Sequence, residues 1–259
     1  MRILATNDDG VYSPGIWAIV EALQDIAEII VSAPDREQSG VGTAISLSQP
    51  IRATKVIPLI NGIDSYAIEG TPADSAILAL ESIIKQPVDM VISGINKGSN
   101  MGNDVLISGT MGAALQGFFR NIPSVAISVA SLTEVHFSAA ARVARVLAKG
   151  VLEGKLHAPM LLNVNLPNVP MSELEGVSIT KLGKRTYMDV VKEGDDGRRK
   201  YYWITRDNPG WVIERGLDIW AIRHNRVSIT PIHTNLTAPT IPSGLKQITS
   251  KMFQAMKAS

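Results

Sequence analysis

Short apolar runs rich in β-branched residues alternate with longer amphipathic segments through the first two-thirds of this chain. Residues 3–6 and 29–32 fit strands, and residues 15–26 carry apolar side chains at helical spacing behind a Ser13-Pro14 pair that suits a helix start. The same alternation predicts a hairpin around 51–68, helices over 76–84, 110–119 and 137–152, and strands at 90–92, 125–127 and 161–166. We therefore predict an α/β fold, with a doubly wound, mostly parallel sheet covered by helices on both faces.

The pattern changes after residue 176. Alternating residues in 186–191 and 200–205 flank Asp195-Asp196-Gly197, and Asp-Gly between such runs is a strong hairpin signal. A strand at 227–232 and a helix over 245–256 follow. We therefore predict an α/β core over residues 1–176 and a C-terminal extension over 177–259 that forms one continuous domain with it and serves self-association.

Composition limits the classes of partner and the compartment. The 259 residues are 45% hydrophobic and 19% charged with a formal net charge of +1, so nothing demands nucleic acid or an anionic membrane as a partner. Cys is absent, which excludes disulfides and thiolate metal sites. Because no apolar stretch reaches bilayer-spanning length and no signal-like segment is present, we expect a cytoplasmic protein with no membrane partner.

Two adjacent carboxylates follow the first predicted strand, in Asn7-Asp8-Asp9-Gly10. Ionised carboxylates about 4 Å apart repel by about 4 kcal/mol at the effective dielectric of a protein surface, so such neighbours need a cation or a proton. Gly10 would let the chain leave the strand so that both side chains reach one ion. Asn, Asp and Gly are also ordinary turn residues, and the tetrapeptide alone leaves a metal site and a turn with a helix cap equally open.

Further oxygen-bearing side chains stand where the next strands should end. The loop 33–40 contains Ser39, and the segment 93–98 contains Asn96. Because the carboxyl ends of parallel strands meet at one edge of a sheet, these loops should converge with Asp8 and Asp9. Carboxylate, hydroxyl and amide oxygens suit Mg²⁺ or Mn²⁺, whereas the lack of Cys and of closely paired His argues against a typical zinc site.

A stretch punctuated by glycine, which we predict to be one long loop, runs from Gly94 to Gly112. Within it, Ser108-Gly109-Thr110 stands where the next helix should begin. A helix amino terminus offers free N–H groups and the positive end of the helix dipole to a phosphate. A purely structural turn is the alternative, but structureless loops of this length in compact domains are usually functional.

Several familiar motifs are absent from the sequence. There is no GxGxxG after the first strand, no GxxxxGK[ST] and no GxSxG, and the four His are scattered. Basic residues interleaved with Tyr201, Tyr202 and Trp203 could form a nucleic-acid surface, but neighbouring acidic residues largely cancel their charge. Self-association through a projecting hairpin is therefore the favoured interpretation, and nucleic acid is not the expected partner.

The ordered set of segments resembles the SurE family, the survival protein E nucleotidases. Each segment alone is weak evidence, but their order is highly specific and spans nearly the whole chain. The segments are Asn7-Asp8-Asp9-Gly10 with Pro14-Gly15-Ile16, Ala33-Pro34, Gln38-Ser39-Gly40, Gly70-Thr71-Pro72-Ala73-Asp74, Ser93-Gly94-Ile95-Asn96-Lys97-Gly98-Ser99-Asn100-Met101-Gly102-Asn103-Asp104-Val105, Ser108-Gly109-Thr110, Asn163-Val164-Asn165-Leu166-Pro167 and Val227-Ser228-Ile229-Thr230-Pro231. Departures at 106–107, 116 and 217 bear on substrate preference and subunit contacts, not on the metal site.

The resemblance implies a Rossmann-like, metal-dependent phosphatase that hydrolyses nucleoside 5′-monophosphates, with 3′-monophosphates and short polyphosphate left open as substrates. It implies one divalent metal ion, Mg²⁺ or Mn²⁺, and a homodimer or homotetramer that exchanges its C-terminal part between subunits. The implied metal ligands are Asp8, Asp9, Ser39 and Asn96. We expect a metal-activated water to attack with Asp8 or Asp9 as proton acceptor, while Asn96 and the 108–110 turn hold the phosphate.

Two alternatives remain to be weighed against this interpretation. A haloacid-dehalogenase-like phosphatase also places acids after its first strand, but its nucleophilic Asp belongs to a DxD pattern that Asp8-Asp9 lacks. A non-catalytic nucleotide- or RNA-binding module would use the basic hairpin. Such a module would bind nucleotide without metal-stimulated turnover, and its RNA affinity would fall steeply with added salt.

Overall fold

Strands and helices alternate along the chain in the computed structural model, which describes residues 1–186, 189–206 and 210–257. The strands are β1 (Arg2–Thr6), β2 (Glu28–Pro34), β3 (Ala53–Lys55), β4 (Asp64–Ile68), β5 (Met90–Lys97), β6 (Ser124–Val129), β7 (Leu161–Leu166), β8 (Gly176–Ile179), β9 (Arg185–Thr186), β10 (Asp189–Asp195), β11 (Lys200–Arg206), β12 (Gly210–Trp211) and β13 (Arg226–Pro231). The α-helices are α1 (Pro14–Leu23), α2 (Pro72–Leu78), α3 (Gly109–Phe118), α4 (Phe137–Leu152), α5 (Asp218–Arg223) and α6 (Leu245–Lys257).

The described residues form one large sheet of nine strands, in the order β3-β4-β2-β1-β5-β6-β7-β13-β8. From β4 to β7 the neighbouring strands run parallel. At the edges, β3 is antiparallel to β4, and β13 enters antiparallel to β7 with β8 parallel beside it. The chain thus has the predicted α/β fold with a doubly wound, mostly parallel sheet.

Helices cover both faces of this sheet. Ile3 and Ala5 of β1 pack in one cluster with residues of α1 and α4, whereas Leu4 packs on the opposite side with Ala76 of α2 and Ala113 of α3. Successive strand side chains point to opposite faces, so a strand covered on both sides requires an uninterrupted apolar run. No helix in the described part of the chain is both long and apolar enough to cross a membrane.

The helix predicted over 76–84 begins earlier and ends differently. Pro72 is its first residue because Thr71 and Asp74 form a reciprocal capping box, in which each side chain accepts from the backbone N–H of the other residue. After α2 the chain continues as a π-helix over Ala79–Ile83. The predicted first residue of the helix is therefore wrong, because the capping box starts the helix at Pro72.

The prediction of one long loop from Gly94 to Gly112 is also wrong. A bulge between Ser93 and Asn96 shifts the register of β5, and pairing with β6 then continues to Lys97. A 3-10 helix over Gly102–Leu106 occupies the middle of the stretch. Only short connections remain irregular. Because β5 continues to Lys97, Asn96 lies on a strand instead of in a loop.

The segment after residue 176 contributes to the main sheet and also forms separate elements. Both β8, which begins at Gly176, and β13 belong to the nine-stranded sheet. The strands β9 and β12 form a short separate pair. The predicted hairpin is present as β10 and β11 around Asp195-Asp196-Gly197, and residues 187–188 of its predicted first strand lie outside the described residues. The predicted terminal helix is α6. The division into 1–176 and 177–259 stays a prediction.

A buried carboxylate ties the C-terminal segment to the loop that follows β5. Asp218 is fully buried, and its Oδ2 accepts the N–H of Gly102 at 2.8 Å. Its Oδ1 accepts the N–H groups of Gly183 and Ile219 at 2.9 and 2.7 Å. Leaving such a buried donor unsatisfied costs about 1–3 kcal/mol. Asp218 therefore acts as a clamp between three segments of the chain.

We expect Asp218→Asn to lower the free energy of unfolding by about 2 kcal/mol, because its amide NH₂ would face a backbone N–H donor. Thermal denaturation followed by circular dichroism should show a fall in Tm of several degrees. Asp35→Asn, at an exposed position, is the matched control and should change stability by less than about 0.5 kcal/mol. Identical melting curves for the two variants would contradict the clamp.

Candidate active site

Three predicted loops meet at the carboxyl end of β1. The backbone N–H of Gln38, which follows β2, donates to the Asp8 carbonyl at 2.8 Å. The N–H of Lys97 in β5 points to the Asp9 carboxylate, with 3.4 Å between N and Oδ2. From α3, the Thr110 hydroxyl donates to the Asp8 carboxylate, with 2.7 Å between Oγ1 and Oδ1. The structure therefore brings the acidic pair together with the ends of β2 and β5 and the start of α3.

Asn7 and Gly10 form the turn on which the acidic pair sits. The buried Asn7 side chain donates to the Gly10 carbonyl at 3.0 Å and to the Ser13 hydroxyl at 2.6 Å, and it accepts the Gly10 N–H at 3.2 Å. Gly10 has a φ of +101°, which L side chains rarely adopt. Asn7 and Gly10 thus supply the turn chemistry, which leaves the carboxylates of Asp8 and Asp9 for another role. The turn that the sequence allows at Asn7-Asp8-Asp9-Gly10 is therefore present, and Asn7 and Gly10 form it.

Of the two acidic residues, Asp8 is buried and Asp9 is half-buried. Only 5% of Asp8 is exposed, and burial raises the pKa of its carboxyl while the hydrogen bond from Thr110 opposes that change. Burial, together with the negative charge of Asp8, raises the pKa of Asp9 to about 7. Glu37 adds a further negative charge that raises the pKa of both. A nearby cation is what would keep such carboxylates ionised together at neutral pH.

Ser39 and Asn96 offer neutral oxygen atoms near the acidic pair. The exposed Ser39 hydroxyl donates to Glu37 Oε1 at 2.6 Å. Asn96 is buried, and its Nδ2 donates to the Gly98 carbonyl at 2.7 Å, which fixes the amide and leaves Oδ1 as an acceptor. Among the described residues, no group of three or more His, Asp or Glu is arranged to hold a metal, so a cation here would need the hydroxyl and amide oxygens as well. Mg²⁺ and Mn²⁺ accept such an oxygen donor set.

The start of α3 presents backbone groups rather than hydroxyls. Ser108 is the N-cap, and its Oγ accepts the N–H of Met111 at 3.1 Å. The Thr110 side chain is fully buried, with its hydroxyl bonded to Asp8. A helix leaves its first N–H groups without partners inside the helix, and here these include the groups of Gly109 and Thr110. The predicted phosphate turn therefore lies beside the acidic pair, and the backbone N–H of Thr110 is directed to the Asp8 carboxylate.

Gly109 is required by the close approach of α3 to Asp8. A Cβ on Gly109 would lie 2.8 Å from the Cβ of Asp8 and 3.0 Å from its Oδ2. Atoms of a side chain and a packed helix cannot share that space without displacement of one of them. Glycine at the first position of α3 thus allows the helix terminus and the carboxylate to lie side by side.

Exposed apolar side chains flank these elements in the sequence. Leu106 and Ile107 directly precede Ser108, and Tyr12 follows Gly10 by two residues; all three side chains are exposed. Sites for organic ligands combine such apolar and aromatic surface with a few well-placed polar groups. Exposed apolar side chains at these three positions would suit a ligand in which a ring system is attached to the phosphate.

Comparisons with known proteins agree with these observations. The family model described as Survival protein SurE matches residues 3–189. The 5′-nucleotidase SurE of Dehalococcoides mccartyi (strain CBDB1) is 47% identical over 238 residues, which cover 91% of this chain and 90% of that protein. The 5′-nucleotidase SurE of Geobacter sulfurreducens is 42% identical over 241 residues, 92% of this chain and 89% of that protein.

A solved structure gives the same result for the fold. The crystal structure of the SurE protein from Aquifex aeolicus matches with a TM-score of 0.79 at 36% sequence identity, and the match covers 98% of this chain and 100% of that one. The likeness therefore extends over the sheet, the acidic end of β1 and the C-terminal segment together. Because the family model, the curated relatives and the solved structure all match over most of the chain, and the sheet topology agrees, the chain belongs to the SurE family.

Proposed function

We propose that the protein is a 5′-nucleotidase that hydrolyses nucleoside 5′-monophosphates to nucleoside and phosphate. The hydrogen bond of 2.7 Å from Thr110 Oγ1 to Asp8 Oδ1 carries this proposal, because it joins the acidic strand end to the helix terminus that suits a phosphate. The names of the relatives support it, as do the exposed apolar side chains of Tyr12, Leu106 and Ile107. Nucleoside 3′-monophosphates and short polyphosphate stay open as further substrates.

One divalent cation, Mg²⁺ or Mn²⁺, belongs to this proposal. Its proposed ligands are Asp8, Asp9, Ser39 and Asn96. The all-oxygen donor set supports the assignment, as do the raised pKa values of the buried Asp8 and the half-buried Asp9, which an adjacent cation would lower again. When bound, such an ion polarises the phosphoryl oxygens and offsets negative charge in the transition state.

Groups of the chain itself supply the other functions. The N–H of Gly109, at the start of α3, and the side chain of Asn96 hold the phosphate oxygens, while the Thr110 N–H is directed to the Asp8 carboxylate. Asp8 or Asp9 accepts a proton from the attacking water, and the existing bond from Thr110 to Asp8 favours Asp9. The water oxygen forms the new bond to phosphorus, the bond to the ribose oxygen breaks, and the ribose oxygen takes up a proton.

Asp8→Asn should abolish metal-dependent hydrolysis and retain the fold, because the amide keeps the size of the side chain and removes its charge. Phosphate release from a panel of nucleoside monophosphates is measured with Mg²⁺, with Mn²⁺ and with a chelator. With either metal, the rate of the variant should be at least about 100-fold below that of the parent. Asp64→Asn is the matched control, since this exposed carboxylate lies at the amino end of β4, the edge of the sheet opposite the site. Its rate should equal that of the parent.

The outcomes of this experiment separate the proposal from the two alternatives. Hydrolysis at the parental rate by Asp8→Asn would show that Asp8 is not a required metal ligand. A phosphorylated Asp8 or Asp9 trapped during turnover would favour a mechanism like that of the haloacid dehalogenases. Nucleotide binding by the parent protein without metal-stimulated turnover would favour a binding module.

Gly109→Ala should slow hydrolysis because the added methyl group would meet the Asp8 Cβ at 2.8 Å. Relief of that contact must move Asp8 or the start of α3, and a displacement of about 1 Å in an active site can lower the rate about 100-fold. We expect a loss of that order in kcat. Gly244→Ala, where an added Cβ meets nothing within 4 Å, is the matched control. A kcat equal to that of the control would contradict this account of the packing.

We also propose that the protein is a homodimer or homotetramer with exchange of the C-terminal part between subunits. Exposed apolar and aromatic residues on the hairpin and on α6 support this, since contiguous surface of that kind marks interfaces. These residues are Tyr201, Tyr202, Trp203, Ile204, Leu245, Ile248, Met252, Phe253 and Met256. A cytoplasmic location, a separate proposal, is supported by the absence of Cys.

Trp203→Asp should shift the protein towards the monomer, because an unpaired charge inside a packed interface is strongly destabilising. Size-exclusion chromatography with light scattering over a dilution series measures the shift. Val146→Asp, at an exposed position of α4, introduces the same charge outside the proposed interface and should leave the mass unchanged. A parent protein that is monomeric at every concentration would refute the proposed assembly.

A further inference from the structure

Asn100 is buried in the connection between β5 and α3, and β7 holds its main chain. The Asn100 N–H donates to Asn165 Oδ1 at 2.8 Å. The Asn100 carbonyl accepts the side-chain N–H groups of Asn163 and Asn165 at 2.8 and 3.0 Å. The loop is therefore anchored to the sheet through backbone atoms, whatever the Asn100 side chain does.

The Asn100 side chain makes a different set of bonds, directed towards Asp8. Its Nδ2 donates to Ser128 Oγ at 3.0 Å and to Thr110 Oγ1 at 3.2 Å. Thr110 Oγ1 in turn donates to Asp8 Oδ1 at 2.7 Å. All four residues are buried. The bonds thus connect Asn100 to the Asp8 carboxylate through a single hydroxyl group.

The bond from Asn100 determines the direction in which the Thr110 hydroxyl donates. A hydroxyl has one proton and two acceptor lone pairs, so an oxygen that accepts from Asn100 keeps its proton for Asp8. In a helix, Thr otherwise divides between two rotamers, because its hydroxyl can bond a carbonyl of the preceding turn. Asn100 therefore favours the one arrangement in which Thr110 donates to Asp8.

The bond from the Thr110 hydroxyl to Oδ1 fixes the plane of the Asp8 carboxylate and with it the position of Oδ2. This Oδ2 lies beside the start of α3, 3.0 Å from the position that a Cβ of Gly109 would take. A ligand oxygen held in one orientation by a neighbouring hydrogen bond binds a metal better than one that must be ordered on binding. Asp8 is therefore prepared for metal binding by groups that do not touch the metal.

We infer that Asn100 is a positioning residue that holds Asp8, through the Thr110 hydroxyl, in the orientation that binds the divalent cation. The inference rests on the proposed function, because it needs Asp8 to be a metal ligand. Partners that orient a ligand in this way contribute about 10–100-fold to metal affinity. Asn100 is not a catalytic residue, since it acts on Asp8 only through Thr110.

A double-mutant cycle read out by Mn²⁺ binding tests this inference. The variants are Asn100→Ala, Thr110→Val and their combination, and the Kd for Mn²⁺ is measured without nucleotide from the paramagnetic resonance of the free ion. Each single variant should raise Kd at least about tenfold. The double variant should bind no more weakly than Thr110→Val, because Asn100 has no effect once the hydroxyl is gone.

A further variant acts as the control. Asn103→Ala removes an exposed amide from the same connection and should leave Kd unchanged. In hydrolysis assays, excess Mn²⁺ should restore the kcat of Asn100→Ala, because the defect is one of metal binding; damage to the loop itself would not be corrected by metal.

Three results would overturn the inference: a parental Kd in Asn100→Ala, an equal further loss when Asn100→Ala is added to Thr110→Val, or a kcat that excess Mn²⁺ does not restore. Thermal melting checks that each variant folds, and Asn100→Leu, which fills a similar volume without a donor, replaces Asn100→Ala in the cycle if the latter melts early. Asp8→Asn separates the two levels of failure. Parental Mn²⁺ binding by Asp8→Asn would refute the metal site, whereas its loss with unchanged binding in Asn100→Ala would refute only the positioning role.

Discussion

The hydrogen bond between the Thr110 hydroxyl and the Asp8 carboxylate is the contact on which the site depends. It joins the end of β1 to the first turn of α3 across 102 residues of sequence, and it is possible only because Gly109 has no side chain to separate them. A buried carboxylate without partners is strongly unfavourable, so this bond links the chemistry of Asp8 to the position of the helix. Apolar packing fixes that position, since Met111 and Ala114 of α3 lie in one cluster with residues of β6 and β7.

The parallel sheet supplies the other polar groups in a single row. Asn96 of β5 pairs in register with Ser128 of β6, and Ser128 pairs with Asn165 of β7. The carboxyl ends of three adjacent strands thus carry side chains at one level, beyond the apolar residues that form the core. Asn100 lies over this row and bonds to two of its members, Ser128 and Asn165. The burial of so many amides and hydroxyls is tolerable because they bond to one another.

Local sequence patterns predict the fold well where an element depends on its own residues. The bounds of α4 and β7 agree with the predicted 137–152 and 161–166, because helical periodicity marks the helix and a short segment that begins and ends with Leu marks the strand. The antiparallel entry of β13 could not be predicted, since it depends on pairing with β7. In the site, adjacency and strand position reveal Asp8 and Asp9. The role of Asn100 leaves no spacing pattern, because its partners lie up to 65 residues away.

The connection that carries Asn100 is held at two points only two residues apart. Asn100 is bonded to β7, and the N–H of Gly102 is bonded to Asp218 of α5 at 2.8 Å. Asp218 and Gly183, whose N–H it also accepts, both lie in the C-terminal segment that we propose to be exchanged between subunits. Two buried anchors on so short a piece of backbone cannot move independently. The residues after 176 contribute none of the proposed metal ligands, yet their packing helps to set the position of Asn100 and, through Thr110, the orientation of Asp8.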